Sequence, residues 1–385
     1  MQGFLRDFFH TFELRIVAVV IEQALELAAL GRLAPPPNPA VGCVIASTNG
    51  TVLGQGHTQL AGGPHSEIMA LRDAQAKGNA VEGATAYVTL EPCSHHGRTG
   101  PCCDALVAAG IKKVVASIAD PNPLVSGQGF ARLRAAGVEV EIGPGAEESR
   151  ELNIGFFSRM IRKTPWVRMK IAASLDGKTA LENGTSQWIT GEAARTDGHA
   201  WRARSCAVLT GIGTVLEDNP RLDVRLVDTP RQPDLAVVDS RLETPLDALL
   251  FAPKRKLYVY AAQPNDERKA ALEVRGATVI YLPGQTDATR NKVDLQAMLL
   301  DLARREVNEL HVEAGHRLNG SLIREGLVDE FLVYLAPKLI GHGRDMASFG
   351  PLADLAASVP LAFKSTDMVG QDLRILARIP GRDQF

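Results

Sequence analysis

GATAYVTLEPCSHHGRTGPCCDALVAAGIKKVVASI (residues 83–118) decides the fold of the first half of this chain. TAYVTL (85–90) is a short apolar, β-branched and aromatic run, which reads as a strand. Cys102 to Ala109 has helical spacing and stops before Gly110, and KVVASI (113–118) is a second buried strand. Two strands joined through a helix form a βαβ unit and imply a mostly parallel sheet. Outward from this unit, VGCVIA (41–46) and VEVEI (138–142) are further strands, and Ser66 to Ala76 and Phe130 to Ala136 are helices. Residues 20–30 (VIEQALELAAL) carry apolar side chains at helical spacing, with Gly31 as a stop, and the prolines from Pro35 to Pro39 hold a loop that no helix can enter.

The Gly/Pro/Glu-rich stretch Gly143 to Glu148 is the expected boundary, giving domains at 16–147 and 148–385. Beyond it, buried-strand candidates recur with helical stretches between several of them. They are WVRMKIA (166–172), CAVLTGI (206–212), LAVVD (235–239), KLYVYAA (256–262), ATVIYL (277–282), ELHVEAG (309–315) and EFLVYLA (330–336). The second domain is therefore α/β as well. The sequence shows no internal repeat and no low-complexity tract.

The 385 residues carry 42 basic and 44 acidic side chains, and 45% are hydrophobic. That balance excludes disordered, collagenous and coiled-coil chains, and it lacks the basic excess of a nucleic-acid backbone binder. Five cysteines, an odd number with three inside 93–103, form no disulfide framework and point to one metal or catalytic cluster in a reducing compartment. The apolar stretch Ile16 to Leu30 is broken by Glu22 and Glu26 and is too short to span a bilayer. No secretory signal is evident, so the expected location is the cytoplasm, with no membrane partner.

The chemistry is concentrated in His65-Ser66-Glu67 and in Pro92-Cys93 followed by Cys102. One imidazole and two thiolates are three protein ligands, which leaves the fourth position of a catalytic zinc open. Such a metal acidifies a bound water, and Glu67, near a helix start, is placed to carry a proton from that water to a leaving amine. This is the zinc-deaminase pattern, H-x-E then P-C-x-x-C, except that SHHGRTGP separates the two cysteines here. Cys103 competes as a ligand one helical position from Cys102. His95 and His96 read as loop residues or substrate contacts.

PNPAVGCVIA, GGPHSEIMAL, GATAYVTLEPCSHHGRTGPCCDAL and ADPNPLVSGQG resemble the deaminase half of the bifunctional riboflavin-biosynthesis deaminase–reductase family. VRMKIAASLDGKTA, GTSQWITGEAAR, TGIGTVLEDNPRLDVR and HVEAG…LNGSLIREGLVDE resemble its reductase half. The resemblance runs from about residue 20 to the C-terminus, and the eight-residue cysteine spacing is normal for that family. It implies a cytidine-deaminase-like α/β/α domain followed by a dihydrofolate-reductase-like α/β domain. The zinc ligands it implies are His65, Cys93 and Cys102, with Glu67 as proton shuttle. The substrate implied is 2,5-diamino-6-(5-phosphoribosylamino)pyrimidin-4-one, which loses its 2-amino group as ammonia, with Asn38 either against the ring or simply shaping its turn.

The implied second reaction is NADPH-dependent reduction of 5-amino-6-(5-phosphoribosylamino)uracil at the ribosyl group. The sequence alone does not reveal that cofactor: Gly211-Ile-Gly213 and Gly127-Gln-Gly129 are incomplete dinucleotide fingerprints. The resemblance puts Ala172, Trp188, Thr214, Asp218, Ser240 and Gly315-His316-Arg317-Leu318-Asn319-Gly320-Ser321 on the NADPH side. It puts Ser186, Arg202, Leu222, Arg225 and Glu313 on the substrate, with Arg202 and Arg225 suited to its phosphate. Lys170 and Glu313 are expected to orient the opened sugar, or to be a buried structural pair. Asp176 in SLDGK serves either that chemistry or a turn. A homo-oligomer is expected. The alternative is a deaminase with a degenerate or re-purposed reductase domain.

Four features depart from the family pattern: the first nineteen residues, Ser66 in place of alanine, Gly100 before Pro101, and His316 where proline is common. The first of these leaves the packing of the first helix open.

Overall fold

Glycines at the sheet surface set how closely the first helices approach. In the computed structural model, residues 2–33, 37–60, 62–94, 100–123 and 125–385 are described, with side chains from residue 15 onward. His95 and His96 lie outside the described residues. The first unit runs α1 (Gln2–Leu30), β1 (Gly42–Ala46), β2 (Val52–His57), α2 (Ser66–Ala76), β3 (Thr85–Val88), α3 (Cys102–Ala108) and β4 (Lys113–Ala116). It continues with α4 (Gln128–Ala135), β5 (Glu139–Ile142), α5 (Ala146–Leu152) and α6 (Ile154–Arg162). The sheet order is β2-β1-β3-β4-β5. β1 is antiparallel to both neighbours, and β3, β4 and β5 are parallel.

Val17, Val20, Ile21 and Ala24 on α1 pack on Val44, Ala46, Tyr87 and Val115, so the divergent first helix does seat on the sheet. A Cβ on Gly42 would stand 1.8 Å from the Ala24 carbonyl oxygen, which shows how tightly α1 crosses β1. Gly54 and Gly56 likewise admit α2, because a Cβ at either would meet Ala70 or Met69 within 2.4 Å. Those two glycines also explain why β2 carries no apolar strand signature.

The chain divides between Arg162 and Lys163, beyond the expected boundary at 147/148. The reason is long-range bonding from α5 and the residue after it. The Asn153 side chain accepts from Ala40 N–H at 2.7 Å and donates to Ala40 C=O at 2.9 Å, and Ser149 Oγ donates to Thr89 C=O. These bonds tie 146–162 to the first sheet.

The second unit runs β6 (Trp166–Ser174), β7 (Lys178–Leu181), α7 (Glu192–Arg204), β8 (Ala207–Gly211), α8 (Ile212–Asp218), β9 (Asp234–Val238), β10 (Leu257–Ala261) and α9 (Asp266–Val274). It continues with β11 (Ala277–Tyr281), α10 (Leu295–Arg304), β12 (Glu309–Val312), α11 (His316–Arg324), β13 (Glu330–Ala336), β14 (Gly343–Asp345), β15 (Ala362–Val369) and β16 (Asp372–Arg378). Nine strands form one sheet in the order β11-β10-β9-β8-β12-β6-β13-β16-β15. All pairs are parallel up to β13, and β16 and β15 close the edge as an antiparallel hairpin. β7 pairs with β14 separately.

The sheet is buried on both faces, which is why its strands read as continuous apolar runs. On β8, Leu209 joins a cluster with Leu295, Met298, Leu302 and Leu322, while its neighbour Val208 joins Leu235, Val237, Leu250 and Leu272. Ligands of open parallel sheets bind beyond the carboxyl ends of the strands. The C-terminal ends of β6, β8, β9 and β12 are where the candidate residues gather.

Candidate functional site

His65 is the residue before α2, and Cys102 opens α3, so two helix starts face the end of β3. His65 Nδ1 lies 3.5 Å from Cys93 Sγ and 3.4 Å from Cys102 Sγ. Tetrahedral zinc, with bonds of about 2.3 Å to sulfur and 2.0 Å to nitrogen, separates those atoms by about 3.5 Å. The donor set therefore fits zinc in both chemistry and spacing. Among the described residues it is the one His/Cys/Asp/Glu group of this kind. Cys103 points elsewhere: its thiol donates to Pro92 C=O at 3.2 Å, and burial pushes it up to about 12. The Cys102 thiol draws Cys93 down to about 4, while Cys93 pushes Cys102 up.

Glu67 lies in the first turn of α2 and is buried. Burial and then the Cys93 sulfur raise its carboxyl above the usual range, and the Ser66 hydroxyl donates to Oε2 at 2.9 Å. Ser66 is thus a partner of Glu67. A Cβ on Gly100, by contrast, would meet nothing within 4 Å among the described residues. Sequence reasoning missed Glu91. Its buried carboxylate accepts from Asp120, Gly127 and Gly129 N–H at 3.1, 2.9 and 2.8 Å, which fixes the ADPNPLVSGQG loop beside Pro92-Cys93. Asn38 is half-buried in the turn before β1.

In the second unit, Lys170 on β6 reaches over the Tyr334 ring, its ammonium 6.0 Å from the centroid. Burial lowers its pKa, and Arg202 adds to that against Glu313. Glu313 follows β12 directly, and Arg202, on the last turn of α7, grips it with Nε–Oε1 at 2.6 Å and Nη2–Oε2 at 2.8 Å. Burial alone would raise Glu313, but Arg202, His311 and Lys170 together hold it well below the usual carboxylate range. The guanidinium fork expected to face phosphate is therefore occupied by Glu313, and Arg202 Nη1 also donates to Asp223 C=O. At most its remaining N–H groups face a ligand. Arg225 N–H donates to His199 Nδ1 at 3.1 Å, and burial followed by Arg202 lowers His199 to about 4, so the imidazole is neutral.

The residues expected on the cofactor side gather at neighbouring strand ends. Gly211 caps α8 and Gly315 caps α11, after the paired strands β8 and β12. A Cβ on Gly315 would lie 3.7 Å from Thr214 Oγ1, so the two helix N-termini adjoin. Their free N–H groups and dipoles suit a pyrophosphate. Ala172 lies on β6, Ser240 follows β9, and Asp218 ends α8 with Ser186 Oγ 3.4 Å from Oδ1. Trp188 is 61% exposed, with Arg195 stacked 4.6 Å from its centroid.

The family model for the cytidine and deoxycytidylate deaminase zinc-binding region matches residues 17–118, and that for the RibD C-terminal domain matches 165–375. The riboflavin biosynthesis protein RibD of Escherichia coli K12 is 43% identical over 365 residues, covering 91% of this chain and 96% of that one. That of Aquifex aeolicus is 39% identical over 352 residues, covering 91% and 95%. This chain belongs to the RibD family. The structure of Acinetobacter baumannii RibD superposes with a TM-score of 0.85 at 39% identity, covering 95% of this chain and 99% of that one. A Thermotoga maritima diaminohydroxyphosphoribosylaminopyrimidine deaminase/5-amino-6-(5-phosphoribosylamino)uracil reductase gives 0.83 at 31% identity, covering 95% and 99%.

The RibD-family chain accordingly has a cytidine-deaminase-like domain and a RibD reductase domain, and it is a bifunctional deaminase and reductase of riboflavin biosynthesis. Zinc serves the first and NADPH the second. Within the stretch 315–321 expected to face the cofactor, two residues serve another contact. Buried Asn319 donates to Met346 C=O at 3.0 Å, and a Cβ on Gly320 would meet Ser348 C=O at 1.9 Å. Both serve to seat segment 346–348. His316 likewise holds Ser348 through its carbonyl. Asp176 accepts from Ile340 and Gly341 N–H at 3.1 and 2.7 Å, so it is a turn and loop anchor. Leu222 is buried in the core with a φ of 50°, and its carbonyl accepts from Arg255 at 2.5 Å. Arg255, Asp223 and His199, which organise this loop, were not singled out in the sequence.

Proposed function

We propose that His65, Cys93 and Cys102 hold the zinc and that Glu67 is the proton carrier for deamination of 2,5-diamino-6-(5-phosphoribosylamino)pyrimidin-4-one. The observation that carries this reading is the convergence of three donor atoms at zinc spacing beside a buried carboxyl. Held by His65, Cys93 and Cys102, zinc would supply an acidified water for attack on the amine-bearing carbon. Ser66 orients Glu67 through Oε2, so the carboxylate takes the proton and returns it to the departing nitrogen. Asn38 lies in the loop anchored by Asn153, and we assign it to the pyrimidine ring.

In the second unit, NADPH supplies the hydride when bound, against the side formed by Ala172, Thr214, Asp218, Ser240, Trp188 and the α11 start. The ribosylamine opens to an imine, and reduction gives the ribityl chain. Lys170, with its lowered pKa, gives and takes the proton of the opening sugar. Glu313, kept ionised by Arg202, orients the hydroxyls. Ser186, Leu222 and Arg225 complete the substrate side. Lys170, Glu313 and Arg202 are all assembled, which favours an active reductase over a degenerate one.

No helix among the described residues is long and apolar enough to cross a membrane. We assign the chain to the cytoplasm, to small-molecule substrates without nucleic acid, and to a homo-oligomer. Exposed Phe363 and Met368 on edge strand β15 offer apolar area for self-association. The test of the site assignments is Glu67→Ala and Lys170→Met in turn. The first is expected to abolish ammonia release from the diamino substrate and the second to abolish NADPH oxidation with the deaminated one. Retention of either activity overturns the corresponding assignment.

A further inference from the structure

Arg221 is a guanidinium that neither the family resemblance nor the proposed site uses. It stands in the loop 219–225 between α8 and β9 and is 45% exposed, as Arg225 is 49% exposed. Both heads converge on one buried carboxylate. Arg221 Nε lies 2.8 Å from Asp223 Oδ2, and Arg225 Nη1 lies 2.9 Å from Asp223 Oδ1. Two half-exposed guanidiniums on opposite oxygens of one planar anion are spaced to bridge a second, larger anion.

The backbone between them is turned the same way. Arg255, from beneath, donates to the carbonyls of Arg221 and Leu222 at 2.5 Å each, and Arg202 donates to that of Asp223. In a trans peptide the N–H points opposite to its C=O. The N–H groups of Leu222 and Asp223 therefore face away from Arg255, and neither donates to another described residue. Leu222 at φ 50° sets those successive amides in the concave arrangement that receives anions. The charges around the loop are Arg202, Arg221, Arg225 and Arg255 against Asp223, Asp234 and Glu313, with neutral His199 behind. The surplus is positive, and a phosphate monoester carries roughly −1.5 to −2 at neutral pH.

We propose that Arg221 is the second guanidinium of the substrate-phosphate seat, paired with Arg225 across Asp223, each keeping its bond to Asp223 and offering its other N–H groups to the phosphate. This rests on the reading of Leu222 and Arg225 as substrate residues. It adds to Arg202, whose Nε and Nη2 are held by Glu313.

The test is equilibrium binding, without NADPH, of 5-amino-6-(5-phosphoribosylamino)uracil and of its dephosphorylated form to the full chain. Wild type, Arg221→Gln, Arg221→Lys and Arg225→Gln are compared. Loss of a charge-assisted hydrogen bond predicts that Arg221→Gln weakens the phosphorylated ligand roughly tenfold or more. The dephosphorylated ligand is expected to bind as in wild type, and Arg221→Lys to restore part of the difference. Equal weakening of both ligands, or no weakening of either, overturns the proposal if Arg225→Gln is phosphate-selective. If Arg225→Gln also leaves both ligands unchanged, it is the substrate loop itself that is misassigned. If Arg221→Gln does not fold, wild-type-like phosphate selectivity in Arg221→Lys supports the charge role, and an equal loss for both ligands contradicts it.

Discussion

Arg202 and Glu313 form a two-pronged ion pair across 111 residues of sequence, 2.6 Å at one prong and 2.8 Å at the other, both groups nearly buried. This pair joins the last turn of α7 to the end of β12. It keeps a carboxylate charged where burial would neutralise it.

Removing the arginine therefore changes a titration. Glu313 lies below its unfolded value of about 4.3, so its stabilisation is present above that value and lost as pH falls through the folded one. Arg202→Gln is expected to move the acid limb of the reductase kcat/KM profile to higher pH and to lower stability by about 3 kcal/mol. A pH profile with the deaminated substrate, alongside thermal unfolding, checks both. An unmoved acid limb means that Glu313 does not titrate in the reaction.

The proposed zinc ligands and Glu67 separate by metal content. Cys102→Ser is expected to cost both bound zinc and ammonia release, and Glu67→Gln to retain the metal while slowing deamination roughly 10²–10⁴-fold. Elemental analysis with ammonia assay distinguishes them. A Glu67→Gln chain that deaminates at the parent rate removes the carboxyl from the mechanism.

Glu91 and Gly129 make a structural prediction. A Cβ on Gly129 would stand 2.1 Å from the Pro92 carbonyl and press on Glu91, so Gly129→Ala must displace the segment that carries Cys93. The expected result is a lower melting temperature and weaker zinc retention against a chelator. Unchanged retention means that the loop and the ligand segment are independent.

Gly315 sits where the N-termini of α8 and α11 adjoin. Gly315→Val fills that gap and is expected to weaken NADPH binding roughly tenfold or more, the scale of one lost charge-assisted hydrogen bond, with zinc content unchanged. Cofactor titration followed by fluorescence reads it. Equal affinity in the variant places the pyrophosphate elsewhere.

Most of the scaffold was legible because it is built from local patterns. The parallel strands β6, β8, β9, β10, β11, β12 and β13 are apolar runs buried on both faces, and each lies within two residues of its expected ends except β12, which stops at Val312, three residues before the expected Gly315. β2 was not, because Gly54 and Gly56 stand where apolar side chains would signal a strand. The β15–β16 hairpin was missed because its strands alternate with solvent-facing residues and contain Lys364, Asp367 and Arg374. The convergence of His65, Cys93 and Cys102 was legible because their motif is short and their residue types are chemically specific. The Arg202–Glu313 pair, the Glu91 anchor and the Arg255 clamp join residues about 30 or more positions apart. No local spacing encodes those contacts, and only the folded sheet brings them together.

The central claim is that one chain carries both reactions. It is tested by supplying the zinc-loaded protein with 2,5-diamino-6-(5-phosphoribosylamino)pyrimidin-4-one and NADPH while following ammonia and NADPH absorbance together. The account predicts equimolar ammonia release and NADPH oxidation, with both lost in Glu67→Gln and only oxidation lost in Lys170→Met. Ammonia release without NADPH oxidation by the parent chain would contradict it.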